Sequence, residues 1–206
     1  MIRTGFPVVL SAASGTGKTT LAHMLLDTDP HLTLSISYTT RAARGEEENG
    51  RDYHFTEPGD FQQMIERGDF IEWAEVHGAR YGSSAVWTRD TLNDGKDVLF
   101  DIDVQGGLQI RKLFPSACLI FLLPPSLDIL EERLRGRGTD NEETVLRRMK
   151  AARQEIAEGI KTYDYVLTND RLDRAIFDLT AIVRAHRLRA RDRTKAARRL
   201  LGDDIS

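Results

Sequence analysis

The sequence predicts an α/β fold in which helices flank a parallel β-sheet. Segments with helical periodicity separate four short apolar runs, Phe6–Leu10, Val98–Ile102, Cys118–Leu123 and Tyr165–Thr168. Such runs are typical of parallel strands that are buried on both faces. A loop rich in glycine and hydroxyl residues, SAASGTGKTT, follows the first run and precedes an apolar helical pattern. This order of strand, loop and helix is that of a phosphate-binding P-loop.

Chain length and composition indicate one soluble domain that is built from lobes. The chain has 206 residues, a net charge of −3 and 40% hydrophobic residues. This length suffices for one substantial core and is short for two independent ones. Because the net charge is slightly negative, we expect no nucleic-acid partner. No apolar run approaches the roughly 20 residues that cross a bilayer, so we expect a cytoplasmic protein without a membrane partner.

The single cysteine and the histidines give no sign of redox or metal chemistry. Cys118 lies within an apolar run, which favours a buried thiol over a nucleophile. The five histidines have no metal-ligand spacing.

The middle of the chain has a different composition and predicts an inserted lobe. Residues 35–95 are rich in Tyr, Arg, Glu and Gly, and Thr33–Ser37 alternates apolar and polar residues like a half-exposed strand. A helical lid is predicted over residues 128–159. In this interpretation the single domain has a core formed by residues of about 1–34, 96–127 and 160–206.

Capping signals mark the starts of two lid helices. Ser126 follows two prolines and can cap a helix over Leu127–Leu134, and Thr139–Glu142 has the spacing of a capping box. Arg135–Gly138 between them has the composition of a flexible, basic connection.

The C-terminal segment Ile182–Leu201 predicts a helix that is rich in arginine and lysine. A solvated, charged helix face is the favoured interpretation, while contact with RNA or an acidic partner stays open.

The loop after the first strand is a candidate ATP site. Loops of the pattern GxxxxGK[ST] direct backbone N–H groups and a helix N-terminus at phosphate oxygens. Lys18 is expected to reach the β- and γ-phosphates. Ala12 replaces the first glycine, but a residue that leaves an extended strand needs no positive φ. The candidate ATP-binding residues are Ala12, Ala13, Ser14, Gly15, Thr16, Gly17, Lys18, Thr19 and Thr20.

The second predicted strand ends in a carboxylate that would complete a magnesium site. Asp101 follows the apolar residues Val98–Phe100, and the Thr19 hydroxyl is the usual P-loop ligand of Mg²⁺. We therefore expect Mg²⁺, bound together with ATP, as the cofactor, with Thr19 and Asp101 as its protein ligands.

Five further motifs follow the phosphate loop in a fixed order. They are SYTTRAARGE from Ser37, NGRDYHF from Asn49, FIEWA from Phe70, RYGS from Arg80 and DIDVQG from Asp101. With the phosphate loop, this series strongly resembles the guanylate kinase family over about residues 9–169. The resemblance implies a P-loop NTP hydrolase fold with an inserted GMP-binding lobe. It also implies ATP-dependent phosphorylation of GMP to GDP.

The same resemblance implies roles for individual residues in GMP binding. Residues that would hold the GMP phosphate are Arg41, Arg44, Tyr53 and Tyr81, and those that would read guanine are Ser37, Glu72, Ser83 and Asp103. Guanidinium forks and tyrosine hydroxyls suit a phosphate monoester. The Glu72 carboxylate suits the N1–H and 2-amino donors of guanine, whereas adenine has an unprotonated N1.

Phosphoryl transfer, as the resemblance implies it, requires that the negative charge of the two nucleotides be neutralised, and it needs no protein nucleophile. A GMP phosphate oxygen would attack the γ-phosphorus of ATP directly. The residues assigned to this step are Lys18, Arg41, Arg137 and Arg148, and the lid arginines assigned to ATP are Arg133 and Arg137. Arg135 is an additional arginine without an assignment.

Two other functions stay open. A ribosyl bisphosphate kinase of the same fold would keep the loop but need no guanine reader, and Glu72 and Ser37 argue against it. A non-catalytic module of this fold would bind phosphorylated partners, and Lys18 and Asp101 argue against that. ATP and GMP are the expected substrates; dGMP as a second acceptor and a homo-oligomeric state stay open.

Overall fold

The computed structural model describes residues 4–76, 78–136 and 142–189, which form two β-sheets and seven helices. The strands are β1 (Pro7–Ala12), β2 (Leu32–Leu34), β3 (Tyr38–Thr39), β4 (His54–Phe55), β5 (Phe70–Val76), β6 (Ala79–Ser84), β7 (Asp97–Asp101), β8 (Cys118–Leu123) and β9 (Tyr165–Thr168). The helices are α1 (Lys18–Thr28), α2 (Pro58–Arg67), α3 (Ala85–Asn93), α4 (Val104–Leu113), α5 (Leu127–Arg135), α6 (Glu142–Thr162) and α7 (Leu172–Arg187).

The larger sheet has five parallel strands in the order β2-β7-β1-β8-β9, and we call it the core sheet. Helices α1 and α7 cover one of its faces, and α3, α4 and α6 cover the other. The four apolar runs coincide with β1, β7, β8 and β9, which confirms the prediction of a parallel α/β fold. Because ligands bind in such sheets at the carboxyl ends of the strands, the loops after β1 and β7 are placed to form a site.

The edge strand β2 differs from the sequence prediction over Thr33–Ser37. It ends at Leu34 and pairs in parallel with β7, so it belongs to the core sheet. Beyond it, Ser35 and Ser37 are buried although they are polar, while Ile36 is half-buried. Burial therefore alternates along this segment as predicted, but the serines are the buried residues and Ile36 is the more exposed one. The chain here leaves the core sheet and enters the wall of the cleft.

The smaller sheet has the order β4-β3-β6-β5, and we call it the lobe sheet. Strands β5 and β6 form an antiparallel hairpin, β3 pairs with β6, and the short β4 continues the sheet. Helix α2 covers it through Phe61, whose ring centroid lies 4.5 Å from that of Phe70. Helix α3 then returns the chain to the core, where it packs on β7.

Helices α5 and α6 pack against each other and against the phosphate loop. The Ser126 hydroxyl accepts a hydrogen bond from the Ile129 backbone N–H at 3.1 Å, which confirms the predicted cap of α5. Leu130 and Leu134 of α5 join Val145 of α6 in a buried cluster that includes Ala13 of the loop. The predicted capping box before α6 lies largely outside the described residues, which resume at 142.

Helix α7 ties the ends of the core together through a buried ion-pair network. Arg187 donates to Asp29 at 2.8 Å and to Asp97 at 2.9 Å, and the Asp97 carboxylate accepts the Phe6 backbone N–H. A charge that is buried in this way requires its partners, since losing one typically costs about 3–5 kcal/mol. The predicted C-terminal helix corresponds to α7 as far as Arg187, and residues 190–201 lie outside the described part.

Cys118 is the first residue of β8 and is fully buried. Burial raises the pKa of its thiol to about 12, which confirms the expectation of an unreactive cysteine. Among the described residues, no helix combines the length and apolarity that a bilayer crossing requires.

Candidate active site

A cleft of about 400 Å³ lies between the carboxyl edge of the core sheet and the lobe sheet. Its core wall consists of residues 12–20, Asp101 and Asp103, and its lobe wall includes Ser37, Tyr53, Glu72 and Tyr81. The cleft thus brings together most of the residues that the sequence predicts for two nucleotide sites.

The phosphate loop has the conformation that its glycines permit. Gly15 and Gly17 both have a φ of 94°, in the left-handed region that favours glycine. Ala12 instead ends β1 in extended conformation and pairs with Leu122 of β8, so no glycine is needed there. Asn169, just after β9, donates from its side-chain amide to the Thr16 carbonyl at 2.8 Å and braces the loop.

The start of α1 is linked to the end of β7 by polar side chains. Lys18 forms an ion pair with Asp101 and donates to the Ile102 carbonyl at 3.3 Å, while the Thr19 hydroxyl donates to Asp101 at 3.2 Å. Both strands end at the same edge, since β1 and β7 are parallel neighbours. The arrangement places the Lys18 ammonium group, the Thr19 hydroxyl oxygen and the two Asp101 carboxylate oxygens at the mouth of the loop.

These oxygen atoms suit a magnesium ion that also binds phosphates and water. Mg²⁺ is usually held by one or two protein oxygens while the rest of its shell comes from the nucleotide. The described residues contain no group of three or more His, Cys, Asp or Glu side chains that could hold a metal ion by themselves.

At the opposite end, Glu72 is buried with one neighbouring donor. Its side chain on β5 is 3% exposed and accepts a hydrogen bond of 2.6 Å from the Ser83 hydroxyl on the paired strand β6. Burial raises the pKa of Glu72 to about 7, and the nearby Asp103 adds to the increase while Ser83 opposes it. The antiparallel pairing of Glu72 with Ser83, just after a register shift between Phe70 and Glu72, therefore places a buried carboxylate at the cleft wall.

Helix α4 fixes the surroundings of Glu72 from the core side. Asp103 caps α4 by accepting the Gly106 backbone N–H at 2.9 Å. Gly106 leaves room for the carboxylate, because a Cβ at this position would lie 2.6 Å from Oε2 of Glu72. Gln109 also binds the backbone of Trp73, next to Glu72, with its amide donating to the carbonyl at 2.8 Å. Three residues from the first turns of α4 and its cap, Asp103, Gly106 and Gln109, thus surround one carboxylate and its neighbour Trp73.

The side chains predicted for the GMP phosphate form a cluster beside the cleft. The Arg41 guanidinium lies over the Tyr53 ring at 5.1 Å, and the rings of Tyr53 and Tyr81 are 6.0 Å apart. Both tyrosines line the cleft, and Arg41 lies behind them, where Glu47 binds it. Arg44 is exposed on the following turn.

The lid arginines occupy different positions. Arg133 on α5 reaches the Gly15 and Thr16 carbonyls at 3.5 and 3.4 Å, so it lies at the phosphate loop as predicted. Arg148 lies on α6, half-buried and away from the cleft lining, and Arg137 lies outside the described residues. Arg135, without an assignment from the sequence, forms ion pairs with Glu131 and Glu142 that connect the lid helices.

Sequence reasoning missed three polar residues around the cleft. Glu155 on α6 lines it, and burial raises the pKa of this carboxyl to about 7. Gln109 and Glu47 act through their contacts with Trp73 and Arg41. Glu47 is one of three consecutive glutamates, so no pattern distinguished it from its neighbours. Glu155 and Gln109 lie on helix faces whose orientation toward the cleft depends on packing.

Comparison with known proteins agrees with this geometry. The family model described as Guanylate kinase matches residues 4–186. The chain is 53% identical to a guanylate kinase of Chromobacterium violaceum over 88% of this chain and 86% of that protein. It is 51% identical to a guanylate kinase of Myxococcus xanthus over 96% of this chain and 94% of that protein.

A solved structure gives the same result. The crystal structure of a guanylate kinase from Anaplasma phagocytophilum superposes with a TM-score of 0.78 and 32% identity, covering 91% of this chain and 89% of that one. A gluconokinase structure from Sinorhizobium meliloti, at 13% identity and a TM-score of 0.50, shares the fold alone. The family model and the identities over most of the chain show that this protein belongs to the guanylate kinase family.

Proposed function

We propose that this protein is a nucleoside monophosphate kinase that transfers the γ-phosphoryl group of ATP to GMP, giving ADP and GDP. The observation that supports this most directly is the pairing of two unlike sites across one cleft. The Lys18–Asp101 pair stands at the phosphate loop, and the buried Glu72–Ser83 pair stands at the opposite wall. One end fits a triphosphate and the other fits a base with two adjacent donors.

The ATP end consists of residues 12–20 with Arg133. Backbone N–H groups between Gly15 and Thr19 would hold the β-phosphate oxygens, assisted by the N-terminus of α1. Lys18 would leave Asp101 for the β- and γ-phosphates. Arg133 is already within 3.5 Å of the loop and would lie along the phosphate chain.

The residues Thr19 and Asp101 would hold Mg²⁺ together with ATP. The ion would neutralise phosphate charge during transfer. In this arrangement Asp101 exchanges its ion pair with Lys18 for a metal, and Lys18 becomes available to the nucleotide.

The guanine base would be recognised by Glu72, Ser83, Ser37 and Asp103. An ionised Glu72 can accept from N1–H and the 2-amino group, and the Ser37 hydroxyl can donate to O6. Adenine would face the carboxylate with an unprotonated N1, and an unpaired buried group of this kind can reject a substrate by about 10⁴-fold. A ribosyl bisphosphate substrate has no base to contact the Glu72–Ser83 pair.

The GMP phosphate would lie by Arg41, Arg44, Tyr53 and Tyr81, with one of its oxygens in line with the γ-phosphorus. The protein then contributes orientation and charge neutralisation without forming a covalent bond. Arg148 and Arg137 of the lid would add positive charge after closure of the lid and lobe, which also excludes water. ATP and GMP as substrates place the reaction in purine nucleotide metabolism, and we place the enzyme in the cytoplasm.

A coupled assay with ATP, Mg²⁺ and each of GMP, AMP, CMP and UMP tests the proposal. We expect rapid ADP formation with GMP and at least a 10³-fold lower kcat/KM with AMP, in line with the buried carboxylate. Equal turnover of AMP, or no turnover of GMP by folded protein, would overturn it.

A further inference from the structure

We propose that Glu47 is the residue that positions Arg41 for the GMP phosphate, by holding one edge of its guanidinium group so that the other edge faces the phosphate. This inference rests on the proposed function and adds a residue to its phosphate site. Glu47 itself does not line the cleft, and its side chain hydrogen-bonds Arg41 and Arg44.

The contacts between the two side chains are bidentate. Arg41 Nη1 donates to Glu47 Oε2 and Nη2 donates to Oε1, both at 2.9 Å. Nη1 also donates to the Ala42 carbonyl at 2.6 Å. These bonds occupy three of the five guanidinium donors, namely both hydrogens of Nη1 and one of Nη2.

The two remaining donors are Nε–H and the second Nη2–H, which lie side by side on one edge of the planar group. Such an edge matches two oxygens of a phosphate or carboxylate. The end-on edge is taken by Glu47, so the side-on edge is the one that can face a phosphate. The Tyr81 hydroxyl, which is itself proposed to bind the GMP phosphate, also hydrogen-bonds the Arg41 guanidinium. The Tyr53 ring, whose centroid lies 5.1 Å from Arg41 Cζ, packs against the guanidinium group.

The surrounding turn is also organised by the Glu47 carboxylate. Its Oε2 accepts the backbone N–H of Arg44 at 2.8 Å, and the Glu47 N–H donates to the Arg44 carbonyl at 3.1 Å. One carboxylate thus connects the two arginines that are proposed to hold the phosphate. The hydrogen bond from Arg41 in turn holds the pKa of Glu47 below its usual value, so this carboxylate is ionised at neutral pH.

A carboxylate near a phosphate site has two opposite effects. Its charge repels the phosphate, whereas its bonds restrict a long side chain that would otherwise sample many rotamers. The pair is partly buried, with side-chain exposures of 12% for Arg41 and 26% for Glu47, so the geometric restriction is well maintained. We conclude that positioning outweighs repulsion, which fixes the sign of the expected result.

The test compares Glu47→Gln with Glu46→Gln, which removes the same charge one residue away. The Glu46 side chain is exposed, and only its backbone carbonyl accepts a bond, from Arg51. Dissociation constants for GMP and for guanosine are measured by calorimetry, with KM for ATP as a further readout. For Glu47→Gln we expect GMP to bind about 10-fold or more weakly, since a charge-assisted contact is lost. Guanosine affinity, KM for ATP and the Glu46→Gln variant should stay within about 2-fold of wild type.

Other outcomes would overturn the inference. An unchanged or tighter GMP complex in Glu47→Gln would show that Glu47 has no role or competes with the phosphate. An equal loss for guanosine would show a general structural defect. If Glu47→Gln does not fold, Glu47→Asp decides, because it keeps the charge but shortens the reach; it must weaken GMP and spare guanosine. Failure of the wild-type protein to phosphorylate GMP would refute the proposed function instead, so the two failures are distinct.

Discussion

The two ends of the cleft hold their polar groups in different ways. At the phosphate loop, the groups come from the stretch of ten residues SAASGTGKTT and from the end of the adjacent strand β7, all at one edge of the core sheet. At the lobe sheet, they come from distant positions between Ser37 and Ser83 that lie on β5 and β6 or just before β3 and β4, and α4 of the core supports them. The first site depends on backbone conformation, and the second depends on side chains that must meet across strands.

This difference predicts different responses to substitution. A loop that binds through backbone N–H groups loses activity mainly when its charged or hydroxyl side chains are removed. A site built from buried side chains responds to small changes in charge, volume and protonation. Substitutions at either end should therefore affect one nucleotide and leave the other almost unchanged.

The largest effect is expected for Lys18→Ala. The ammonium group is proposed to neutralise charge on the transferring phosphoryl group, so its loss should lower kcat by about 10³-fold. GMP affinity should change by less than about 3-fold, since Lys18 belongs to the ATP end. Steady-state kinetics and GMP calorimetry check both parts, with the exposed Lys96→Ala as a matched control. A loss of GMP affinity as large as the loss of rate would remove the distinction between the two ends.

A smaller but base-specific effect is expected for Glu72→Gln. An amide presents one acceptor and a competing NH₂ where guanine presents two donors. The lost charge-assisted bond and the mispaired donor should cost about 2–4 kcal/mol, or roughly 30- to 1000-fold in kcat/KM for GMP. Inosine monophosphate lacks the 2-amino group, so the ratio of GMP to IMP efficiency should fall.

Kinetics with both substrates measure this ratio, and Glu75→Gln on the exposed side of β5 is the matched control. Glu72 is not the guanine reader if its variant keeps wild-type GMP efficiency and an unchanged GMP/IMP ratio.

The contrast between the two ends also explains what the sequence could predict. The phosphate loop could be predicted from the local sequence pattern, because SAASGTGKTT follows one apolar strand and Asp101 ends the second predicted strand. Even the alanine at position 12 could be explained, because a residue in an extended strand needs no positive φ. Backbone-based sites are local in sequence, and local patterns are what a single sequence shows.

The lobe residues could be assigned only through family resemblance, and their supports could not be assigned at all. Glu72 meets Ser83 because of the β5–β6 register, and Gln109 meets Trp73 because α4 packs on β5. These contacts join residues that are distant in the sequence, so the sequence around each residue does not predict them. The same reason applies to the strand predicted over Thr33–Ser37, because the structure ends β2 at Leu34 and places Ser37 in the lining of the cleft.

A third prediction tests whether α4 shapes the guanine end. Gly106→Ala adds a methyl group whose carbon would lie 2.6 Å from Oε2 of Glu72, so the carboxylate must move. We expect kcat/KM for GMP to fall about 10-fold, a typical result of a small displacement of a substrate-binding group. KM for ATP should not change. Gly59→Ala in α2 is the control, because a Cβ there meets nothing within 4 Å. Equal effects of the two substitutions, or a change in ATP binding, would contradict this role of Gly106.

The last expected effect, no larger than that of Gly106→Ala, is a dependence of base affinity on pH. The pKa of Glu72 is raised to about 7, mainly by burial, and only the ionised carboxylate accepts both guanine donors. Below pH 7 binding requires loss of a proton, so the affinity should rise about 10-fold between pH 6 and pH 8 and then level off. Guanosine is the ligand to use, because a phosphate monoester has its own pKa near 6.

In the unbound protein, the contribution of Glu72 to stability should change with pH in the opposite direction to the guanosine affinity. Glu72 has a higher pKa folded than unfolded, so the native state binds more protons between about pH 4.5 and pH 7, and this residue's contribution falls as pH rises through that window. The difference in unfolding free energy between wild type and Glu72→Gln should therefore change by about 3 kcal/mol across it. Calorimetry with guanosine and denaturant unfolding at several pH values measure the two trends. A guanosine affinity that is flat with pH in wild type, or that keeps its slope in Glu72→Gln, would place the titrating group elsewhere. In that case the burial of Glu72 would serve the packing of the lobe and not the recognition of guanine.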